Sequence, residues 1–375
     1  MVTGIHIPEE EILVDILTKL PVKSLLHFKC VSESWKTLIS DPYFKRKHLN
    51  HAKNKLNFQK FLFDTRSLGK GYDFYCASLS PNGLVNDFRR LVRPSVSTPF
   101  YGFKVYCCCD ALFLIGIHTE NSYSLNEPSM LLLWNPSTSE SMVLPRLGSP
   151  LQESTYGLGY DSISDDYKVL RIDQEGMAPD EILALKSGSW RKIDHPSIRS
   201  DGDGFTMFGR ECLPCVHGAF HWLGFRSFMK ESLDSFSISD ETYGRIPLPK
   251  NVRIDPESSE LCFMPVEVGM SVLREMLCLF NNNTIIFNLW IMKEYGVQES
   301  WTKLLTISSN GASLILPKYR FSNGKVLLWY EVDFIKHTIY RTSDGLTDQI
   351  WPFNCDDIDP ATIIRDGFVY TESLT

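Results

Sequence analysis

The chain has 375 residues, 43% hydrophobic and 22% charged, which excludes extended disorder and leaves room for at least one large core. Its formal net charge of -7 excludes a nucleic-acid surface built on bulk positive charge, so no nucleic-acid partner is expected. No stretch reads as a secretory signal or a membrane span, so a soluble intracellular protein with no membrane partner is expected, its ten cysteines reduced rather than paired.

Helical signals come first, from Ile7 to Asp41. Pro8 suits a first helical turn, Glu9, Glu10 and Glu11 set negative charge at the positive dipole end, and Pro21 ends the segment. Between the prolines Ile12, Leu13, Ile16, Leu17 and Leu20 recur at helical spacing, with Glu11, Asp15, Thr18 and Lys19 largely opposite. A second short helix follows from Val22. Ser32 caps a third, on which Trp35, Leu38 and Ile39 share a face, and Asp41-Pro42 ends it and starts another. Helices this short cannot bury so much apolar surface among themselves. The surplus face needs a partner, and the spacing leaves two open: the rest of the chain or another protein.

The run LTKLPVKSLLHFKCVSESWKTLISDPYF resembles the F-box of plant F-box proteins, in which a leucine-proline pair, a basic residue, paired leucines, Cys-Val-Ser and a tryptophan follow in order. It departs from that pattern twice: Pro8 to Pro21 is one residue longer than the family interval, and His27 stands where arginine is usual. In that family the helices dock on a Skp1-like adaptor, which joins them to a cullin-based ubiquitin ligase. The resemblance therefore implies a Skp1-like adaptor as direct partner, a cullin as indirect partner, and work in the cytoplasm or nucleus. The adaptor-binding residues it implies are Ile7, Pro8, Ile16, Leu20, Pro21, Leu25, Val31 and Trp35. Of these, Leu20, Pro21, Leu25 and Val31 are expected to be more exposed than core leucines.

The stretch Asp41 to Lys55 is basic, and a run this short reads as a solvated helix face or linker. After it the chain turns to short runs rich in Val, Ile, Leu, Phe, Tyr and Trp between Gly, Pro, Asn, Asp and Ser clusters, the signal of strands and turns. A strand, turn and strand unit recurs roughly every 50 residues, the period of kelch-type propeller blades. Its instances are LLLWNPSTSESMVLP, EILALKSGSWRKIDHP, SFSISDETYGRIPLP, IFNLWIMKEYGVQESWTKLL and TIYRTSDGLTDQIWP, each preceded by at least one further apolar run. NFQKFLFD and YDFYCASLS supply two strands ahead of the first clear unit, and GFVYTESL is a lone strand after the last. Pairing these ends closes a sixth blade without an exposed edge.

WNPST, DYKVLRI, SGSWRKI, GAFHWL, EYGVQESW and YTESL resemble the F-box-associated domain of plant F-box proteins, over roughly residues 100 to 375. One departure is Ala111, where the family has glycine and a tight turn would be strained. The fold class expected is α+β multidomain: a small N-terminal three-helix F-box followed by an all-β, six-bladed kelch-like β-propeller. A two-sheet sandwich of the same strands is the alternative. The expected bounds are 1–50 for the helical module, 51–57 for a linker and 58–375 for the β-domain.

Catalytic and metal motifs are not apparent. Cys212, Cys215, His217 and His221 approximate zinc-ligand spacing, but one residue between Cys215 and His217 is too few for a finger, so two histidines packing on one strand face are expected. Cys107, Cys108 and Cys109 alternate faces and read as core. The sequence has no nucleophile elbow, Walker loop, HExxH or Rossmann fingerprint, so no catalytic residue, metal or cofactor is expected.

In a four-stranded antiparallel blade the second-to-third connection and the blade-to-blade connection leave from one side, and the tight third-to-fourth turn from the other. The long segments Pro81 to Gly102, His118 to Pro128, Gln174 to Asp180, Ser197 to Glu211, Arg226 to Glu231 and Lys250 to Glu260 fall in the first set. That side is the expected recognition face, with Tyr101, Arg199, Phe205, Arg210, Phe225 and Phe228 as target-binding candidates. The function expected is that of a non-catalytic substrate-recognition subunit of a Skp1-cullin-F-box ligase, capturing a protein substrate. The alternatives are a propeller enzyme or small-molecule sensor, and a scaffold that works without a ligase.

Overall fold

The structure is a computed structural model and describes residues 9–53, 55–67, 71–81, 83–85, 87–96, 100, 102–119, 128–146, 154–173, 179–193, 205–208, 213–226, 230–250, 267–282, 285–309, 311–332, 336–343, 346–349 and 363–375. Four helices open the chain: α1 (Glu9–Leu17), α2 (Val22–Phe28), α3 (Glu33–Ser40) and α4 (Pro42–Lys53). Their ends follow from the caps in the sequence. Pro21 is the N-cap of α2, and Ser32 Oγ accepts the Trp35 amide at 3.2 Å to cap α3. Asp41 Oδ1 accepts the Tyr43 amide at 2.8 Å at the start of α4. The helix α4 runs to Lys53, into the stretch expected as a linker, and a 3-10 turn at Leu56–Phe58 leads directly into the first strand.

Among the described residues the strands after the helices form six sheets. The first takes Gln59–Ser67 and Gly71–Ser80 from the start of the β-region and Ile363–Thr371 from the end of the chain, with the short strands Gly83–Leu84 and Arg89–Arg90 outside them. The lone C-terminal strand pairs antiparallel with the first one, Gln59 opposite Thr371 and Phe61 opposite Val369. The other sheets follow in chain order, led by Gly102–Cys109, Ser154–Asp161, Phe205–Phe208 with Cys215–Val216, Glu267–Leu273 and Leu314–Arg320.

The apolar clusters lie between consecutive sheets, which is the packing of a β-propeller and replaces the sandwich alternative. Phe74, Phe103, Phe113 and Trp134 fill the space between the first and second sheets. Tyr106, Leu133, Tyr156 and Leu158 join the second to the third, Leu170, Phe220, Trp222 and Phe236 the third to the fourth, and Leu223, Leu233, Val268 and Leu279 the fourth to the fifth. Phe280, Leu289, Leu328 and Trp329 lie in one cluster with Phe61 and Phe63, which returns the packing to the first sheet. The leading strand of each later sheet and the closing strand Ile363–Thr371 line a shared central cavity of about 1140 Å³. The strands converge closely there: a Cβ on Gly367 would overlap the Phe61 ring. Gly367→Val should therefore lower the thermal midpoint of the β-domain by several degrees, read by calorimetry.

The propeller has two unlike ends. Tight turns such as Asp110-Ala111, residues 162–165 and His217-Gly218 sit at one end, with the C-terminal tail. The longer connections leave from the other, as parity requires, with one correction. Pro81 belongs to the tight-turn end, because Ser80 pairs with Gly83 in a hairpin and Asn323 Nδ2 donates to the Pro81 carbonyl at 3.4 Å. The fourth strand of this sheet is split into two short pieces, so its chain reaches the far end only after Arg90.

Three further expectations are corrected here. The strain expected at Ala111 is carried by Asp110, which has φ 58° while Ala111 is fully buried. His217 has φ 52° in the hairpin between Cys215–Val216 and Ala219–Arg226, so it does not share a strand face with His221. Both rings nevertheless meet Tyr295, and His221 Nε2 lies 2.7 Å from its hydroxyl. The cysteine run alternates as expected, Cys107 and Cys109 toward the cluster between the second and third sheets and Cys108 toward that between the first and second, but Cys108 and Cys109 are only half-buried there and line the central cavity. Burial pushes the Cys108 thiol up to about 12, so it is held protonated.

Candidate functional site

The helical module divides its apolar surface between two uses. Leu17, Val22, Leu25, Ile39 and Phe44 form a small core, into which Leu374 inserts from the C-terminal tail. The rest of the chain thus covers one face. Ile12, Ile16 and Val31 remain 46%, 54% and 65% exposed, and Pro21 is exposed with them. On α1, Leu13 and Leu17 point inward while Ile12 and Ile16, one turn apart, share the outer side. Of the residues the sequence assigned to adaptor contact, Ile16, Pro21 and Val31 are therefore exposed. Leu25, expected to be exposed, is corrected: it is wholly buried in the module's core. Leu20 and Trp35 are half-buried against that core, Trp35 edge-on to Phe28 at 5.3 Å between ring centroids. Ile7 and Pro8 lie outside the described residues.

The Leu20-Pro21 turn is held from inside. Buried His48 on α4 lies 3.0 Å through Nε2 from the Leu20 carbonyl, which can only accept, so Nε2 carries the proton and Nδ1 is bare. Among the described residues Nδ1 has no hydrogen-bond partner. Burial, the largest influence, holds the His48 pKa below its ordinary 6.5. Because the folded value lies below the unfolded one, the stability this residue contributes is complete above about pH 6.5 and is lost as the pH falls. His48→Gln keeps a donor near the Nε2 position and cannot titrate. Limited proteolysis of the module should accelerate between about pH 7 and pH 5 in the parent chain and much less in this variant. Equal acceleration in both would refute the assignment.

The basic run is not a solvated face. Arg46 Nη2 pairs with Asp165 Oδ1 at 2.7 Å, and its guanidinium carbon lies 3.8 Å from the Tyr160 ring centroid. The Tyr160 hydroxyl donates to the same carboxylate, which is held below its ordinary pKa by that bond and by the Arg46 charge. Lys53 Nζ pairs with Asp110 Oδ1 at 2.7 Å, and Tyr167 donates its hydroxyl to Asp110 Oδ2 at 2.8 Å. Lys47 closes on Asp15 within the module at 2.6 Å. The tail completes the joint: Asn135 Nδ2 donates to the carbonyls of Ser373 at 3.0 Å and Thr375 at 2.6 Å, and the Glu372 amide donates to the Phe58 carbonyl at 2.8 Å. The module is thus seated on the tight-turn end of the propeller, with Ile12, Ile16 and Val31 left outward.

Sequence reasoning missed Asp110, Asn135, Tyr160, Asp165 and Leu374 as seat residues. In the sequence Asn135 and Asp165 mark turns and YTESL a lone strand, and nothing local to any of the five points to the helical module. On the far end, Phe205 and Phe225 lie in adjacent paired strands, Phe205 opposite Arg226 and Thr206 opposite Phe225. Their side chains, and Tyr101, Arg199, Arg210 and Phe228 altogether, lie outside the described residues. No group of three His, Cys, Asp or Glu among the described residues is arranged to hold a metal ion.

A helical module with exposed apolar residues, seated by ion pairs and the C-terminal tail on one end of a β-propeller, defines a two-part architecture. Comparison with known families agrees: residues 7–47 match the F-box domain, and residues 86–375 match the F-box associated beta propeller domain. The chain belongs to the family of F-box proteins with an F-box associated beta propeller domain. Among curated proteins it is similar to F-box protein CPR1 of Arabidopsis thaliana, 26% identical over 380 residues that cover 89% of this chain and 84% of the relative. Putative F-box protein At4g38870 of the same plant is 25% identical, covering 83% and 72%. F-box/kelch-repeat protein At3g23880, also of Arabidopsis thaliana, is 25% identical, covering 79% and 78%.

Proposed function

We propose that this protein is a non-catalytic substrate-recognition subunit of a Skp1-cullin-F-box ubiquitin ligase, acting in the cytoplasm or nucleus. Ile16, Leu20, Pro21, Val31 and Trp35 form its face for a Skp1-like adaptor, with Ile12 added and Leu25 supporting them from within. The propeller is a kelch-like ring of six blades, one per sheet, whose long-connection end captures a protein target. The observation that carries this reading is the seat: Arg46, Lys53 and Leu374 lock the module to the end opposite those connections. A rigid joint of this kind holds target and ligase at a set separation, and proximity then raises the effective concentration of the reacting groups.

The test is proximity labelling in cells with the full chain and with a form lacking residues 1–41, each checked for a folded β-domain. The shortened form should enrich protein targets without their loss, and only the full chain should bring down a cullin. A tightly bound metabolite in the central cavity, with no protein captured by either form, would overturn this reading in favour of an enzyme or sensor.

A further inference from the structure

We propose that Arg90 and Arg93, on the outer edge of the first sheet, are a docking point for an acidic, unphosphorylated segment of the target protein, rich in Asp and Glu. The inference rests on the reading of the propeller as the target-binding part.

Both arginines converge on one atom. Arg90 reaches Asp73 Oδ1 through Nε at 2.9 Å and Nη2 at 2.6 Å, and Arg93 reaches the same oxygen through Nε at 3.0 Å and Nη2 at 2.7 Å. Two positive charges thus share one carboxylate. Each guanidinium carries five donors in a planar fork, and the edge turned to Asp73 uses only part of them. Arg90 and Arg93 are 60% and 42% exposed, whereas Asp73 is 15% exposed, so the carboxylate anchors the pair from beneath and their other donors face solvent. On a chain of net charge -7 this is a local reversal of sign.

Its position fits the target end. Asp73 pairs with Thr65 two places from the Ser67–Gly71 end of the hairpin, away from the seat, where Gln59 meets Thr371. Val92 lies between the two arginines in sequence and is 67% exposed, an apolar contact beside the charges. Arginines held by a carboxylate lose little freedom on binding, which favours bidentate capture of carboxylates. Carboxylates are preferred over a phosphate because the planar forks already hold a carboxylate and both arginines are largely exposed.

The test uses the full chain purified with a Skp1-like adaptor and three fluorescent twelve-residue probes: a Glu-Ser repeat peptide, its Gln-Ser counterpart, and a Gln-phosphoserine version. Anisotropy should show binding of the Glu-Ser peptide, weakened at least about tenfold by Arg90→Ala with Arg93→Ala and by raised salt. Lys293→Ala with Lys325→Ala, on the tight-turn end, should leave it unchanged. Adding Asp73→Asn to the double variant removes the orphaned carboxylate, so an unchanged thermal midpoint with lost binding assigns the effect to the arginines. Equal binding by parent and double variant, or binding of the phosphoserine probe alone, would overturn the proposal. If the double variant still captures the cellular targets and the adaptor, this docking point is wrong while the ligase role stands. Failure of the parent chain to bind the adaptor would instead sink that role.

Discussion

Replacing Ile16 and Val31 together by Asp should lower affinity for a Skp1-like adaptor at least about 100-fold while leaving the protein folded. Both side chains stand outward on the module, 54% and 65% exposed, so a carboxylate there meets water in the free protein and costs little stability. In the complex the same carboxylates would be buried against an apolar partner with nothing to neutralise them. The structure makes this pair a cleaner choice than Leu20 with Pro21. Leu20 packs on the module's own core and its carbonyl is bonded to His48, so its truncation mixes folding with binding. Titration by calorimetry, with circular dichroism as the folding control, reads the result. Affinity within about threefold of the parent would show that this face is not the adaptor site.

Leu374→Asp should release the helical module from the propeller at a cost of about 3–5 kcal/mol. Leu374 is 1% exposed and is the one tail residue in a cluster otherwise drawn from residues 13–44. The β-domain should persist, because its closing strand ends its pairing at Thr371. Limited proteolysis should cut within residues 9–53 many times faster than in the parent, with Leu374→Met close to normal because it nearly conserves volume. Unaltered cleavage would mean that the tail is incidental to the seat.

The elements themselves were legible where a local rule decided them. Ser32, Asp41 and the prolines bounded the helices, and the recurrence at roughly 50 residues gave the sheets. The pairing of GFVYTESL with NFQKFLFD followed from a strand that had no unit of its own. What stayed hidden depends on contacts between distant residues. Nothing near Arg46 or Lys53 in sequence indicates that Asp165 and Asp110, in the turns of two different sheets, will meet them. Leu25 has the same local pattern as an exposed helix leucine, and its burial depends on how α2 leans on α3 and on Leu374. His217 was read as a strand residue because a hairpin at His217-Gly218 interrupts an otherwise continuous apolar run.

The most direct test of the central claim is reconstitution of the purified chain with a Skp1-like adaptor and a cullin amino-terminal domain, followed by size-exclusion chromatography with light scattering. A single peak with the mass of one copy of each component is the expected result, dispersed by Ile16→Asp with Val31→Asp. A folded chain that elutes apart from an intact adaptor and cullin pair would contradict the account.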